Sequence, residues 1–318
     1  MKRVCLVGLL MGAMVLGGGA RASDGPVPVL ATVGMIGDLA ASVGGDCAAV
    51  EVLIGAGSDP HLYQPRASDI SRLQAARVVL YEGFNLEGRL GAVLDRLRRD
   101  RVVVAVGEEA VPADILLTSH GAVDPHLWMD VSIWARLVPV IADVLAREQP
   151  QCEADIAARA AQLHTEMAAL DTWVRETLGS IPEEHRVLVT AHDAFGYFAR
   201  AYGLHEVAIQ GFSTESEASV ADIRSVAAEV VDTGVPAVFV ESTINPRTVQ
   251  AMLEAVAAQG GQVTLGGQLY SDAMGEPGTP EGTYIGMIRA NVLTIAAALG
   301  AGQRPGRRTW PDGPNATG

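Results

Sequence analysis

The chain has 318 residues, of which 49% are hydrophobic and 5% aromatic, with 35 Gly and a formal net charge of −14. That length exceeds one compact core and predicts two lobes of about 130–150 residues; the apolar, Gly-rich composition excludes a disordered chain and indicates a globular α/β protein. The acidic balance disfavours nucleic acid and anionic membrane surfaces, both of which recruit basic patches.

The N-terminus reads as a secretory signal. Met1-Lys2-Arg3 is a short basic region, Val4–Gly19 is apolar and uncharged, and Ala20-Arg21-Ala22 is a small-residue cleavage pattern. A membrane anchor is the rival reading, but the apolar stretch is short, rich in Gly and followed by that cleavage site. No cysteine sits at the cleavage point for lipid attachment, so the expectation is a soluble, exported, periplasmic protein cut near Ala22. Loss of Lys2, Arg3 and Arg21 takes the charge from −14 to −17, with Arg as the mature chain's only strong base. Cys47 and Cys152 remain as an isolated pair outside any C-x-x-C frame. They form one disulfide or stay free, and spacing alone does not decide between the two.

Beyond the signal, β-branched runs alternate with helical patterns. Val27–Thr32 is a strand and Met35–Val43 a helix; Val50–Ile54 is a strand leading into Asp59-Pro60-His61-Leu62-Tyr63. Ala67–Ala76 is helical, Val78–Tyr81 a strand, Glu87–Arg99 a helix and Val102–Val106 a strand. A second frame, Asp124-Pro125-His126-Leu127-Trp128, precedes a helix capped by Asp130 and running through Trp134 to Arg147. Strands separated by helices in this way predict βα units and a mainly parallel sheet.

From Glu153 to Leu178 the pattern is one long helix, with Ile156, Leu163, Met167, Leu170 and Val174 at helical spacing and no Gly or Pro inside. At 1.5 Å per residue it spans about 37 Å, the height of a small lobe. The alternation then restarts: strands over Val187–Thr190, Glu206–Ile209, Ala237–Val240 and Val263–Leu265, helices over Ala194–Tyr202, Val220–Asp232, Thr248–Gln259 and Tyr284–Leu299. The predicted fold is α/β, two lobes each with a mainly parallel sheet flanked by helices, joined by one long rigid helix. Its divisions are a signal peptide at 1–22, an N-terminal lobe at 23–150, a linking helix at 151–182, a C-terminal lobe at 183–303 and a loose tail at 304–318.

Seven histidines occur in the chain, and two share the D-P-H-L-aromatic frame. His61 and His192 each follow or end a strand, and His126 lies in a loop before a helix. Parallel sheets expose ligand sites beyond their strands' carboxyl ends, so all three are suitably placed, and their division between the halves points to a cleft. A single strand-end His is more often a hydrogen-bonded structural residue than a metal ligand. Three in equivalent places raise the joint case for a metal. The proline in each frame stiffens the approach to its histidine. His120, His164, His185 and His205 read as solvated or capping residues. Glu241, ending its strand, is either a carboxylate in solvent or a partner behind a ligating imidazole.

These segments resemble the metal-binding solute-binding proteins of bacterial zinc and manganese ABC transporters, the TroA-like superfamily (cluster A-I). The resemblance covers nearly all of the mature chain. It rests on Gly57-Ser-Asp-Pro-His61-Leu-Tyr-Gln-Pro, Val123-Asp-Pro-His126-Leu-Trp-Met-Asp and Thr190-Ala-His192-Asp-Ala-Phe-Gly-Tyr-Phe, with Gly211-Phe-Ser-Thr-Glu-Ser-Glu-Ala-Ser and Leu269-Tyr-Ser-Asp272-Ala-Met-Gly in the same order. It implies one metal between the lobes, held by His61, His126, His192 and Asp272. Asp272 comes from the resemblance alone, since an Asp in such a turn usually serves the turn itself. Zn²⁺ suits three imidazoles and a carboxylate, and Mn²⁺ accepts them. Manganese-specific members tend to carry Glu where this chain has His192, whereas many zinc-specific members have a long His-rich loop that Glu108–Asp124 lacks.

The expected function is capture of a divalent transition metal, zinc foremost and manganese second, as transported ligand rather than catalytic cofactor. Delivery would be to an ABC permease, by a chain acting as a monomer and without enzymatic activity. The alternative is a secreted zinc-dependent hydrolase, with Glu241 as base and an open metal position. An adhesin reading has no repeat to support it. The Gly266-Gly267 pair marks the loop leading to Asp272 as the mobile donor segment.

Overall fold

The computed structural model describes residues 25–119 and 121–301. The signal segment, His120 and the predicted tail lie outside the described residues. Two four-stranded sheets form the framework. The first contains β1 (Val27–Val33), β2 (Ala48–Ile54), β3 (Val78–Tyr81) and β4 (Val102–Ala105) in the order β2-β1-β3-β4, all parallel. Its interior strands are buried along nearly their whole length, as both faces require, whereas edge strand β2 alternates before its buried end. Helices α1 (Gly34–Gly44), α2 (Ala67–Ala75), α3 (Gly91–Leu97) and α4 (Val106–Ala110) connect or follow these strands.

A short hairpin, β5 (Thr118–Ser119) with β6 (Ala122–Val123), comes next, then α5 (Val131–Trp134), α6 (Leu137–Glu148) and α7 (Glu153–Leu178). The second sheet contains β7 (Val187–His192), β8 (His205–Gln210), β9 (Ala237–Glu241) and β10 (Thr264–Leu269) in the order β10-β9-β7-β8, again parallel. It carries α8 (Gly196–Tyr202), α9 (Val220–Thr233), α10 (Arg247–Ala258) and α11 (Tyr284–Ala298).

Helix α7 covers the predicted residues, and Ile156, Leu163, Met167, Leu170, Val174 and Leu178 form its buried stripe. It packs on α1, α5 and α6 from the first half and on α8 and α11 from the second. Its start is fastened to the first half twice. Arg159 donates to the carbonyls of Val43 (2.9 Å) and Gly44 (2.8 Å), where α1 ends. Cys47 and Cys152 form a disulfide, with Cα atoms 6.4 Å apart and the two residues 105 positions apart in sequence, which decides the question left open by spacing. Cross-linking so long a segment restricts the unfolded chain. Replacing both cysteines by Ser is expected to lower stability by about 2–4 kcal/mol, read as a lower thermal midpoint for the variant; an unchanged midpoint would refute the role.

Four expectations change. The helix predicted from Asp130 to Arg147 is two helices, because a proline ring at 139 collides with the carbonyl four residues back, and the chain turns at Ala135-Arg136. Glu87–Arg99 opens as a 3-10 turn over Gly88–Leu90, since Gly88 and Gly91 weaken a helix start. The β5–β6 hairpin was not anticipated; it turns on Gly121 at φ +84°. Gly266 and Gly267 lie inside β10, at a bulge where its register with β9 shifts. A Cβ on Gly266 would stand 2.7 Å from Phe239 and 2.8 Å from Ala298, so close packing requires that glycine, while Gly267 takes φ +138° at the bulge, a conformation that side-chain-bearing residues rarely adopt.

Candidate metal centre

The carboxyl ends of the strands converge on one point. His61 lies just beyond β2, His192 ends β7, Glu241 ends β9 and Asp272 follows β10, while His126 lies between β6 and α5. One donor atom from each of His61, His126, His192 and Asp272 falls within 4.8 Å of the others, and all four residues are buried. His61 Nε2 and His126 Nε2 are 3.4 Å apart. Asp272 places Oδ1 3.2 Å from His126 Nε2 and Oδ2 3.2 Å from His192 Nε2. Donors at tetrahedral corners about 2.05 Å from a zinc ion stand about 3.3 Å from one another. These three distances match that spacing, with Asp272 turning a different oxygen to each of two rings.

Each histidine is aimed by a carboxylate, in different ways. In the second D-P-H frame, Asp124 Oδ1 accepts both the backbone N–H of His126 (3.0 Å) and its ring Nδ1–H (2.7 Å). With Nδ1 carrying the proton, Nε2 presents its lone pair to the centre. His192 is held in the same manner by Glu241: Oε2 takes its ring Nδ1–H, and Oε1 accepts the backbone N–H groups of Ala191 (2.7 Å) and His192 (2.9 Å). β7 and β9 are sheet neighbours, so this carboxylate reaches one strand over. In the first frame, Asp59 Oδ1 accepts the backbone N–H of His61 (2.8 Å) and does not touch its ring.

Asp272 is placed from across the cleft. Trp128, two residues past His126, donates its indole N–H to the Ser271 carbonyl (2.8 Å), and the Tyr284 hydroxyl bonds the Trp128 carbonyl (2.8 Å). The Tyr197 hydroxyl donates to the Asp124 carbonyl (2.9 Å) and accepts from Leu117 N–H (3.0 Å). Buried aromatic groups thus pin the His126 segment to the second half of the chain.

The charges follow from this packing. Burial pulls His61 down to about 4, so it is neutral at pH 7. Burial also opposes charge on His126, but Asp124 and Asp272 outweigh it and raise that ring to about 9. His192 is likewise penalised by burial and held well above its ordinary value by Asp272 and Glu241. Against the same penalty, His192 and His126 keep Asp272 well below the usual carboxylate range.

The four residues expected to ligate are thus together, and Glu241 is a partner of His192, not a carboxylate in solvent. Behind that ring it is fully engaged and does not face the donor point, where a hydrolytic base would have to stand. Among the other described histidines, His164 is exposed on α7, His185 meets the Leu299 carbonyl (3.2 Å) and His205 approaches Glu229 (3.5 Å). Sequence reasoning missed Asp124 and Asp59 as holding groups because it assigned the stiffness of the frame to proline. The signal was present: an Asp two residues before a His readily accepts that residue's N–H. Asp124→Asn or Glu241→Gln, with the four donors intact, is expected to cost about 10–100-fold in zinc affinity; calorimetric affinities equal to the native protein's would show that these carboxylates do not tune the site.

Comparison with known proteins agrees with this geometry. The zinc-binding protein TroA of Treponema pallidum is 41% identical over 303 residues, 94% of this chain and 98% of its own length. The manganese-binding lipoprotein MntA of Bacillus subtilis is 39% identical over 281 residues, covering 88% and 92% of the two chains. The solved structure of the periplasmic zinc-binding protein TroA from Treponema pallidum superposes with a TM-score of 0.85 at 42% identity, covering 86% of this chain and 99% of that one. The hydrolase reading gains no support from any of them. With residues 29–298 matching the model of the ZnuA family, described as zinc-uptake complex component A, periplasmic, the chain belongs to that family of metal-binding ABC-transport proteins.

Proposed function

We propose that this protein binds one divalent transition metal, zinc foremost, through His61, His126, His192 and Asp272, and delivers it to an ABC permease from the periplasm. The observation that carries the reading is the donor set itself: three imidazoles and a carboxylate, all buried, with donor atoms within 4.8 Å of one another and drawn from both halves of the chain. Three nitrogen donors favour zinc, while manganese prefers a larger share of oxygen, so manganese is the competing cargo. Relatives named for each metal lie at comparable identity, which makes the donor set the better guide.

The same reading divides the chain into lobes at 23–150 and 183–303 with 151–182 between them, supported by two separate sheets and by α7 packing on helices from both halves. It also takes residues 1–22 as a cleaved export signal and the working form as a monomer that binds no nucleic acid. The deciding experiment is elemental analysis of protein purified without added metal, followed by competition between Zn²⁺ and Mn²⁺. Zinc retained in one-to-one amount, and displaced by manganese only at large excess, is the expected result. Retention of neither metal, with no heat of zinc binding, would refute the reading.

A further inference from the structure

The two D-P-H frames are chemically alike, yet they use their aspartates differently. Asp124 spends one oxygen on both the backbone and the ring of His126. Asp59 uses Oδ1 for the backbone N–H of His61 and, at 3.4 Å, that of Leu62, while its Oδ2 accepts the Thr214 hydroxyl at 2.6 Å. Thr214 belongs to the other half of the chain, in the Gly211-Phe-Ser-Thr-Glu-Ser-Glu segment after β8, and is buried. Gln210, the last residue of β8, donates its Nε2–H to the Ser216 carbonyl (2.6 Å) and steadies the turn that presents Thr214.

The consequence lies in how little else holds His61. Among the described residues, its ring makes a hydrogen-bond-range contact only with His126 Nε2, and its Nδ1 has no partner. The ring's position therefore depends on its backbone, which lies in the irregular segment 55–66 between β2 and α2. The far end of that segment is tied to its own half through Asp69, which accepts from the Tyr63 hydroxyl (2.8 Å) and Arg66 N–H (2.8 Å). The near end turns through Gly57 at φ +68°, a conformation that glycine adopts without strain. Among the described residues, Asp59–Thr214 is the sole side-chain hydrogen bond from 55–66 to the second half.

We infer that Thr214 is a positioning residue for metal retention: through Asp59 it latches the His61 segment across the cleft, and breaking this latch is the first step of metal release. His126 and His192 are each held at both backbone and ring, so His61 is the donor that departs first. Its consequence for metal rests on the proposed function above; the latch geometry does not.

Thr214→Val removes the hydroxyl and keeps the shape, and Thr214→Ser keeps the hydroxyl. Zinc release into excess chelator is expected to be about tenfold faster for Thr214→Val, with association within about twofold of native. That is the scale of losing one hydrogen bond to a charged acceptor, expressed in the off-rate. Thr214→Ser should release zinc at the native rate, a rescue that a purely structural role for the methyl-bearing side chain would not produce. In metal-free protein, hydrogen exchange at the His61 and Leu62 amides should accelerate in Thr214→Val and not in Thr214→Ser. Equal release rates for Thr214→Val and native protein, or acceleration by both variants alike, would overturn the latch. Failure of the native chain to bind zinc would sink the metal reading instead, and the exchange experiment would still decide the latch.

Discussion

His61→Ala and His192→Ala are each expected to lower zinc affinity by roughly two to three decades, while their effects on the metal-free fold differ sharply. Structural zinc in small four-donor sites is worth about 10–16 kcal/mol, so one donor in four carries about 3–4 kcal/mol. That share is common to both histidines. The metal-free states are not equivalent. His61 is neutral at pH 7, pulled down to about 4 by burial, and its Nδ1 has no partner among the described residues. Removing it discards little. His192 is held charged between Asp272 and Glu241, both buried. Its removal leaves Glu241 without a ring to pair with and Asp272 with His126 as its one remaining charged partner, beside the Thr243 hydroxyl at 3.5 Å. Breaking a buried pair in this way costs about 3–5 kcal/mol, or a fall of about 5–8 °C in thermal midpoint for a chain of this size. Calorimetric titration and thermal unfolding of metal-free protein test the two halves of the prediction separately. Zinc affinity within a factor of about three of native would remove that residue from the site. Equal melting of the two metal-free variants would refute the charge assignment.

The parts legible in the sequence were those governed by local periodicity and by chain order. Helix α7 could be placed to the residue because an apolar stripe runs its length without Gly or Pro. The strands were found because parallel interior strands are continuous apolar runs, and strand ends then located His61 and His192, with His126 marked by its shared D-P-H frame. What escaped depends on contacts between distant segments. Asp272 was named by the family resemblance and not by its local pattern: it stands at the centre because Trp128 holds the carbonyl of Ser271, 143 positions away in sequence, which no local pattern encodes. The Thr214–Asp59 bond spans 155 positions and is equally silent. Gly266 and Gly267 carry two different signals. Glycine marks both a backbone range and close approach: Phe239 and Ala298 crowd Gly266, while Gly267 uses the range at φ +138°. Pro139 was readable as a helix breaker, and the apolar periodicity of Leu137–Leu145 masked it.

Zinc affinity is expected to climb steeply with pH across neutrality and to keep rising to about pH 9, well past the window set by ordinary histidines. An unperturbed His loses its proton near 6.5, which from sequence alone places the proton competition there. The structure moves it. His126 is raised to about 9 by Asp124 and Asp272 against the burial penalty, and His192 is raised well above its ordinary value, so at pH 7 the metal-free site holds protons on both rings. A ligating imidazole must be neutral, so zinc has to expel them. His61, lowered to about 4, contributes no proton at neutrality. Between one and two protons should therefore leave per zinc at pH 7, and affinity should change by one to two decades per pH unit around that point. Stability of the metal-free fold carries the matching sign. The folded-state value of His126 is raised, so its stabilising contribution is fully present below about 6.5 and is lost as pH rises through about 9. His61 acts in reverse: its lowered value favours the fold above about 6.5, and that contribution is lost as pH falls towards 4. Calorimetric titration in buffers of differing ionisation enthalpy counts the released protons directly. Release of no protons at pH 7, or an affinity flat between pH 6 and 9, would show that the imidazoles are already neutral. The carboxylates behind His126 and His192 would then serve only to aim the rings, and proton uptake would have no part in letting the metal go.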